Sequence, residues 1–598
     1  MDMYQFYTGK SFEAYKFLGA HVQASGTRFS TFAPNASSIS VIGDFNHWEE
    51  TPMQQVHDGN FYELFLPEAK EGMLYKYRIF HQDGSYMDHC DPYGFGMELR
   101  PNCASIIRDL NNYQFHDEKW MQQRTDCREK PLNIYEVHLG SFRTNPEDPN
   151  GWYKYNEIGE LLIPYVKENG YNYIEFMPLS EHPSDESWGY QNTGFFSPTS
   201  RYGTAKELKE LVDMCHDEGI GVIMDFVPVH FAIDDYALAK YDGTELYEYP
   251  HSDVGMSEWG SYNFMHSRGE ICSFLQSAAN YWLTEYHFDG IRMDAISRMI
   301  YWQGDPARGV NGNAVAFIKT MNQGLKSLHP SAILSAEDST NFSNVTKPVS
   351  EGGLGFDYKW DMGWMNDTLE YFKKSPKERV EHYHNLTFSM MYYYGETFLL
   401  PFSHDETVHG KATILQKMHG DYEDKFPQGR ALYMYMFAHP GKKLNFMGNE
   451  IGQLREWDEK REQDWDILSY PTHDAFHKFM ILLNRLYLEH SAFYMWDYKE
   501  KGFQWLDCHQ EALCIYAFER VSKDDSIISV FNFSDKPVKD FELKIGLNKT
   551  LEILLSSNWE NFGGTEKETP LRVKADKKGM VTLNLSPYSA YYFSKIKS

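Results

Sequence analysis

Three carboxylic acids stand where a short apolar run ends. Asp294 follows GIRM (290–293), Glu337 follows ILSA (333–336), and Asp405 closes LPFSHD (400–405). Neighbouring run ends supply Asp225, His230, Arg292, Asp338, His404 and Glu406. A single acid in such a place ordinarily caps the helix that follows. Three acids in like contexts point instead to side chains that meet. Converging carboxyl groups can break a glycosidic bond: one acid protonates the leaving oxygen while a carboxylate attacks or stabilises the sugar cation. Like charges held close raise one pKa and keep the acid protonated near neutrality. Arg292, two residues before Asp294, shares its strand face and would hold the attacking carboxylate ionised and oriented. Clustered acids can also bind calcium or magnesium through oxygen. Neither an EF-hand loop nor a His-Glu-x-x-His pattern occurs. The scattered histidines, His89, His116 and His138 among them, read as satisfied polar groups.

The elements that must carry these residues begin at 133. From there short apolar runs alternate with amphipathic stretches, the rhythm of a parallel sheet with crossover helices. Strands are expected at 133–141, 171–179, 220–230, 289–295, 332–338, 355–361, 397–404 and 442–449. Eight such units over about 350 residues predict a closed (β/α)8 barrel, whose catalytic groups project from the C-terminal strand ends. Thr204 and Glu207 form a capping box that starts a helix. Ile271, Phe274, Leu275, Ala278, Ala279, Trp282, Leu283 and Tyr286 follow helical spacing and predict a helix over 270–286. The stretch 231–269 is too long for a plain connection, so a functional role is expected there.

Period-2 runs broken by Pro34-Asn35, Asn46-His47 and Asp58-Gly59 predict a small β-sandwich before the barrel. Five β-rich runs after about 495 predict an antiparallel sandwich after it. The expected division is an N-terminal extension (1–20), a β-sandwich module (21–115), the barrel (116–490) and a C-terminal all-β domain (491–598).

Composition narrows the ligand. The chain has 598 residues, 57 Lys plus Arg against 85 Asp plus Glu, and a formal charge of −28. A charge of that sign disfavours nucleic acid and anionic lipid and fits a neutral ligand. Aromatics reach 16%, and flat rings cover the C–H face of a sugar well. Seven spread cysteines without a Cys-x-x-Cys pair suit reduced thiols in a cytoplasm. Neither a secretory leader nor an apolar run of membrane-spanning length is evident, so no membrane association is expected.

DFVPVH (225–230), GIRMDAIS (290–297), LSAEDST (334–340) and LPFSHDE (400–406) resemble, in order, the four conserved stretches of the α-amylase family of glycoside hydrolases. SEHPSDESWGYQNTGFFSPTSRYGT (180–204), KWDMGWMNDTLEYF (359–372) and MGNEIGQLREW (447–457) are similar to its 1,4-α-glucan (glycogen) branching enzymes, and GDFNHW (43–48) to the sugar-binding β-module that precedes such barrels. The resemblance implies a retaining double displacement, with Asp294 as nucleophile, Glu337 as general acid then base, and Asp405 as third acid. It implies that His230 and His404 hydrogen-bond the reacting sugar, that Arg292 pairs with the nucleophile, that Asp225 braces the network, and that Tyr190 lies against the sugar ring. It further implies an α-glucan partner (glycogen or amylose), a monomer, and no cofactor. One departure matters. Val229 stands where many α-amylases have a calcium-ligating asparagine, so no required metal is expected. A hydrolase of the same family, amylase or debranching, and a non-catalytic glucan binder are the alternatives.

Overall fold

The computed structural model describes residues 1–597. They pack as two compact units: residues 1–125, 138–163 and 175–357 in one, and 126–137, 164–174 and 358–597 in the other. Eight parallel strands close a barrel in chain order: Asn133–Val137, Tyr173–Phe176, Gly221–Phe226, Gly290–Met293, Ile333–Ala336, Tyr358–Trp360, Phe398–Phe402 and Lys442–Phe446. The fold class is the one the sequence predicts. Every residue of these strands is buried. That is why they read as continuous apolar runs rather than alternating ones. Gly290 opens strand four because a Cβ there would lie 2.6 Å from the Ile333 carbonyl oxygen on strand five.

Strand three stops earlier than expected. It ends at Phe226, and Pro228, which has no N–H to donate, breaks the ladder. His230–Phe231 forms a separate short strand with Tyr262–Asn263, and the Val229 carbonyl accepts the Phe264 N–H at 3.1 Å.

The first unit begins with a helix, Met3–Tyr7, and a sandwich of two sheets. Gly19–Gln23, Gly26–Phe32, Phe61–Leu66 and Gln54–Val56 make one sheet; Thr51–Pro52, Ser38–Gly43, Leu74–Phe80, Tyr86–His89 and Ser105–Ile106, which also pairs with Leu74–Phe80, make the other. Phe29 and Tyr75 join the sheets with ring centroids 5.0 Å apart. The helix predicted over 270–286 runs Gly269–Glu285, but its polar side is buried as well. Residues 9–14 cover it. Gln276 donates to the Gly9 carbonyl at 2.9 Å and Asn280 to that of Phe12 at 2.8 Å, while the Ser277 hydroxyl accepts the Ala14 N–H at 3.0 Å. Thr204 caps Ala205–Asp217 through the predicted box with Glu207.

In the second unit the C-terminal domain pairs a six-stranded sheet with a two-stranded one, Val538–Lys544 and Met580–Leu585, around Ile515, Val530, Phe541, Leu551, Val581 and Phe593. Its first strand, Phe503–Gln510, is not evident from pattern, because FQWLDCHQ is half polar and only partly buried. Among the described residues, no helix is long and apolar enough to cross a membrane.

At the strand starts of the first unit, a buried ionic knot anchors the segment that enters the barrel. His216 bonds Asp117 at 2.7 Å through Nδ1 and Asp289 at 2.8 Å through Nε2. Trp120 stacks on His216 and donates to Asp289 at 2.8 Å. Burial alone would lower the His216 pKa, but the carboxylates of Asp289 and Asp117 raise it from 6.5 to about 9. Burial would raise Asp117, yet His216 and His287 hold it well below the usual range. Breaking one partner of such a buried set costs about 3–5 kcal/mol. His216→Leu should therefore lower unfolding stability by that amount in urea titrations. Because the folded-state value lies above the ordinary one, the wild-type advantage over His216→Leu should be full below pH 6.5. It should fade as pH rises through about 9.

Candidate active site

Arg292 sits in the middle of strand four and is 1% exposed. Its register partner on strand three is Asp225, which sends both side chains to the same face. Arg292 Nη1 donates to Asp225 Oδ1 at 2.7 Å and Oδ2 at 2.9 Å, and to Asp294 Oδ1 at 3.0 Å. Nη2 donates to Glu337 Oε2 at 2.5 Å. The Tyr190 hydroxyl donates to Asp225 Oδ2 at 2.6 Å. One guanidinium thus gathers three carboxylates from three strands.

The backbone fixes the same group. The Asp294 N–H donates to the Phe226 carbonyl at 3.0 Å, and the Glu337 N–H to that of Met293 at 3.1 Å. None of the three acids caps a helix. The helix after Asp294, Ser297–Ile300, has no side-chain cap, nor has the turn His404–Thr407; Glu337 instead accepts from Ala295 N–H at 3.1 Å. Ala295 holds φ +43°, a left-handed conformation that costs a residue with a Cβ about 1–2 kcal/mol.

The floor and the surface of the site differ. Asp225 and Arg292 are closed off, with side chains 1% exposed, whereas Asp294 and Glu337 are 14% and 20% exposed. Burial raises the Asp294 pKa well above its usual value. The Arg292 charge lowers it, and the negative charges of Glu337 and Asp225, with a hydrogen bond to Glu337, raise it again.

His230 lies apart from this grip. It packs beside Trp259, ring centroids 5.4 Å apart, and its Nδ1 is buried without a hydrogen-bond partner. Burial lowers its pKa to about 4, so the ring is neutral near pH 7. His404 and Asp405 follow strand seven in the second unit. The His404 ring meets Glu136 at 2.5 Å, and its backbone N–H donates to the other Glu136 oxygen at 2.9 Å. Asp405 is half exposed and pairs with Lys411 at 3.1 Å.

Family models match three stretches: carbohydrate-binding module 48 (isoamylase N-terminal domain) over 17–94, the alpha amylase catalytic domain over 147–245, and the alpha amylase C-terminal all-beta domain over 505–595. The 1,4-alpha-glucan branching enzyme of Bacillus caldolyticus is 42% identical over 576 residues, 94% of this chain and 86% of that one. The Fusobacterium nucleatum enzyme of the same name is 43% identical over 97% of this chain and 95% of its own. The chain belongs to the 1,4-alpha-glucan branching enzyme family. A pullulanase from Bacillus acidopullulyticus shares the fold at TM-score 0.75 and 18% identity, covering 99% of this chain and 76% of its own. So does a putative alpha amylase from Salmonella typhimurium, at TM-score 0.72 and 18% identity over 97% of this chain and 99% of that one.

In this branching-enzyme chain the structure brings Tyr190, Asp225, Arg292, Asp294 and Glu337 together. Sequence reasoning missed Glu136, although an acid inside the apolar run NIYEV was a visible signal. It also missed Lys411 and the left-handed Ala295, for which no local signal existed.

The grip by Arg292 can be tested. Arg292→Met removes the only influence named above that lowers Asp294. Activity should fall on the order of 10²–10³-fold, the scale of losing one charge-stabilising donor. Attack requires ionised Asp294, so activity is lost as pH falls through its pKa. The acid limb of the pH–activity profile should therefore move to higher pH in Arg292→Met.

Proposed function

We propose that the chain makes α-1,6 branch points in an α-glucan such as glycogen, cleaving an α-1,4 bond and passing the freed segment to a 6-hydroxyl. The observation that carries this reading is the set of carboxylates gripped by Arg292, in a chain about 42% identical to a branching enzyme over nearly its whole length.

Asp294 attacks the anomeric carbon while Glu337 gives a proton to the departing glucan oxygen. A covalent glycosyl-enzyme results. Glu337, now a carboxylate, takes the proton from an acceptor 6-hydroxyl, whose oxygen displaces Asp294. Two inversions give net retention. Both carboxylates bond the same guanidinium, Asp294 at Nη1 and Glu337 at Nη2, which supports a close pair of the kind a covalent double displacement uses. Arg292 holds Asp294 as the charged nucleophile, and Asp225 with Tyr190 holds Arg292. Asp405 binds sugar hydroxyls and stabilises the cation-like transition state. His230, neutral and with Nδ1 unpartnered, suits a hydroxyl of the reacting sugar, as does His404 once Glu136 orients its ring. Tyr190 lies against the sugar. The N-terminal sandwich helps hold glucan, with Trp48, 38% exposed, as a platform. The protein acts as a monomer in the cytoplasm without a cofactor; its charge of −28 and its seven spread cysteines support a neutral ligand in a reducing compartment.

Amylose separates branching from hydrolysis. Branching should lower iodine absorbance without a matching rise in reducing ends; a matching rise would make the chain a hydrolase. Asp294→Ala should cut turnover by at least about 10⁴-fold while glucan binding in affinity electrophoresis persists. Retained turnover would remove Asp294 from its role.

A further inference from the structure

The insert after barrel strand three runs on from the short strand His230–Phe231 and folds back to pair Tyr262–Asn263 with it. Its last turn is tightly built. The Ser257 N–H donates to the Ser261 carbonyl at 2.8 Å, the Trp259 N–H to Ser257 Oγ at 3.2 Å, and Gly260 holds φ +73°. Gln191 donates to the Trp259 carbonyl at 3.1 Å. The indole is held too: the Arg298 guanidinium lies 5.0 Å from its ring centroid. Arg298 is itself fixed by the Gln303 carbonyl at 2.6 Å and by Glu258. Trp259 is nonetheless 45% exposed. A large flat ring, positioned on every side and left open beside His230, is built to receive something.

We propose that Trp259 is the platform that seats the acceptor glucan chain beside Glu337 and so favours transfer over attack by water. The chemistry is that of a sugar's C–H face on an aromatic ring. The side of the reacting sugar follows from the 295–298 segment. Glu337 Oε2 accepts the Ala295 N–H, and the Glu337 carbonyl accepts the Ile296 N–H at 3.0 Å. The group that protonates the leaving oxygen, and later deprotonates the incoming hydroxyl, therefore rests on the segment whose Arg298 carries Trp259. Departure and arrival share one side, by microscopic reversibility. An acceptor held there meets the glycosyl-enzyme at a high effective concentration, which bulk water must outcompete.

The inference rests on the branching reading, and its test separates the two. With amylose as substrate, new α-1,6 linkages are counted by reducing ends released after enzymatic debranching. Hydrolysis is counted by reducing ends before it. The ratio compares fates of an intermediate already formed, so a general loss of folded enzyme does not move it. Trp259→Ala should lower the ratio by about fivefold, the scale of one aromatic stacking contact, and Trp259→Phe should restore most of it. An unchanged ratio in Trp259→Ala would overturn the platform. So would a fall that phenylalanine fails to reverse, which would assign the effect to the shape of the 256–263 turn. Wild-type protein that yields one reducing end for every bond cleaved would instead sink the branching reading itself.

Discussion

A single arginine, sealed from water and never neutral at any workable pH, faces three carboxylates. One positive charge against three negative ones leaves the group short of cations. Two of the acids reach toward the site's surface; the third stays below, bonded twice to the guanidinium and once to Tyr190. The division of labour among the acids follows from this charge balance. Asp225 is fully engaged and serves as structure. Asp294 and Glu337 are incompletely engaged and open, which is the condition for chemistry.

The barrel makes that arrangement possible. Parallel strands set neighbouring residues in register, so Asp225, Arg292 and Ser335 form one row across three strands. Asp294 and Glu337 then emerge one step beyond the last buried row. The surrounding contacts, such as the N-terminal segment that answers the polar face of Gly269–Glu285 and the knot around His216, hold the frame on which those rows are drawn.

Residues governed by local pattern are legible in the amino-acid order alone. The capping box at Thr204, the eight apolar runs, and the acids at their ends all follow from spacing along the chain. The pairing of Arg292 with Asp294 follows too, because two residues apart on a strand means one face. What stays hidden depends on partners far away in sequence. Glu136 and His404 are separated by 268 positions, and nothing near either residue names the other. The buried polar side of Gly269–Glu285 has the pattern of a solvent face, and only its covering segment shows otherwise. Strand three reads too long because Val227 and Val229 mask the break that Pro228 imposes.

The insert after strand three is tied down by the pairing of Tyr262–Asn263 with His230–Phe231 and by contacts to Gln191 and Arg298, while the carboxylates hang from the barrel strands themselves. Reshaping the insert by substitution or a change of length leaves the catalytic rows intact. Preferences for which glucan is accepted, and how long a segment is handed over, can therefore drift among relatives under selection without re-solving the bond-breaking chemistry.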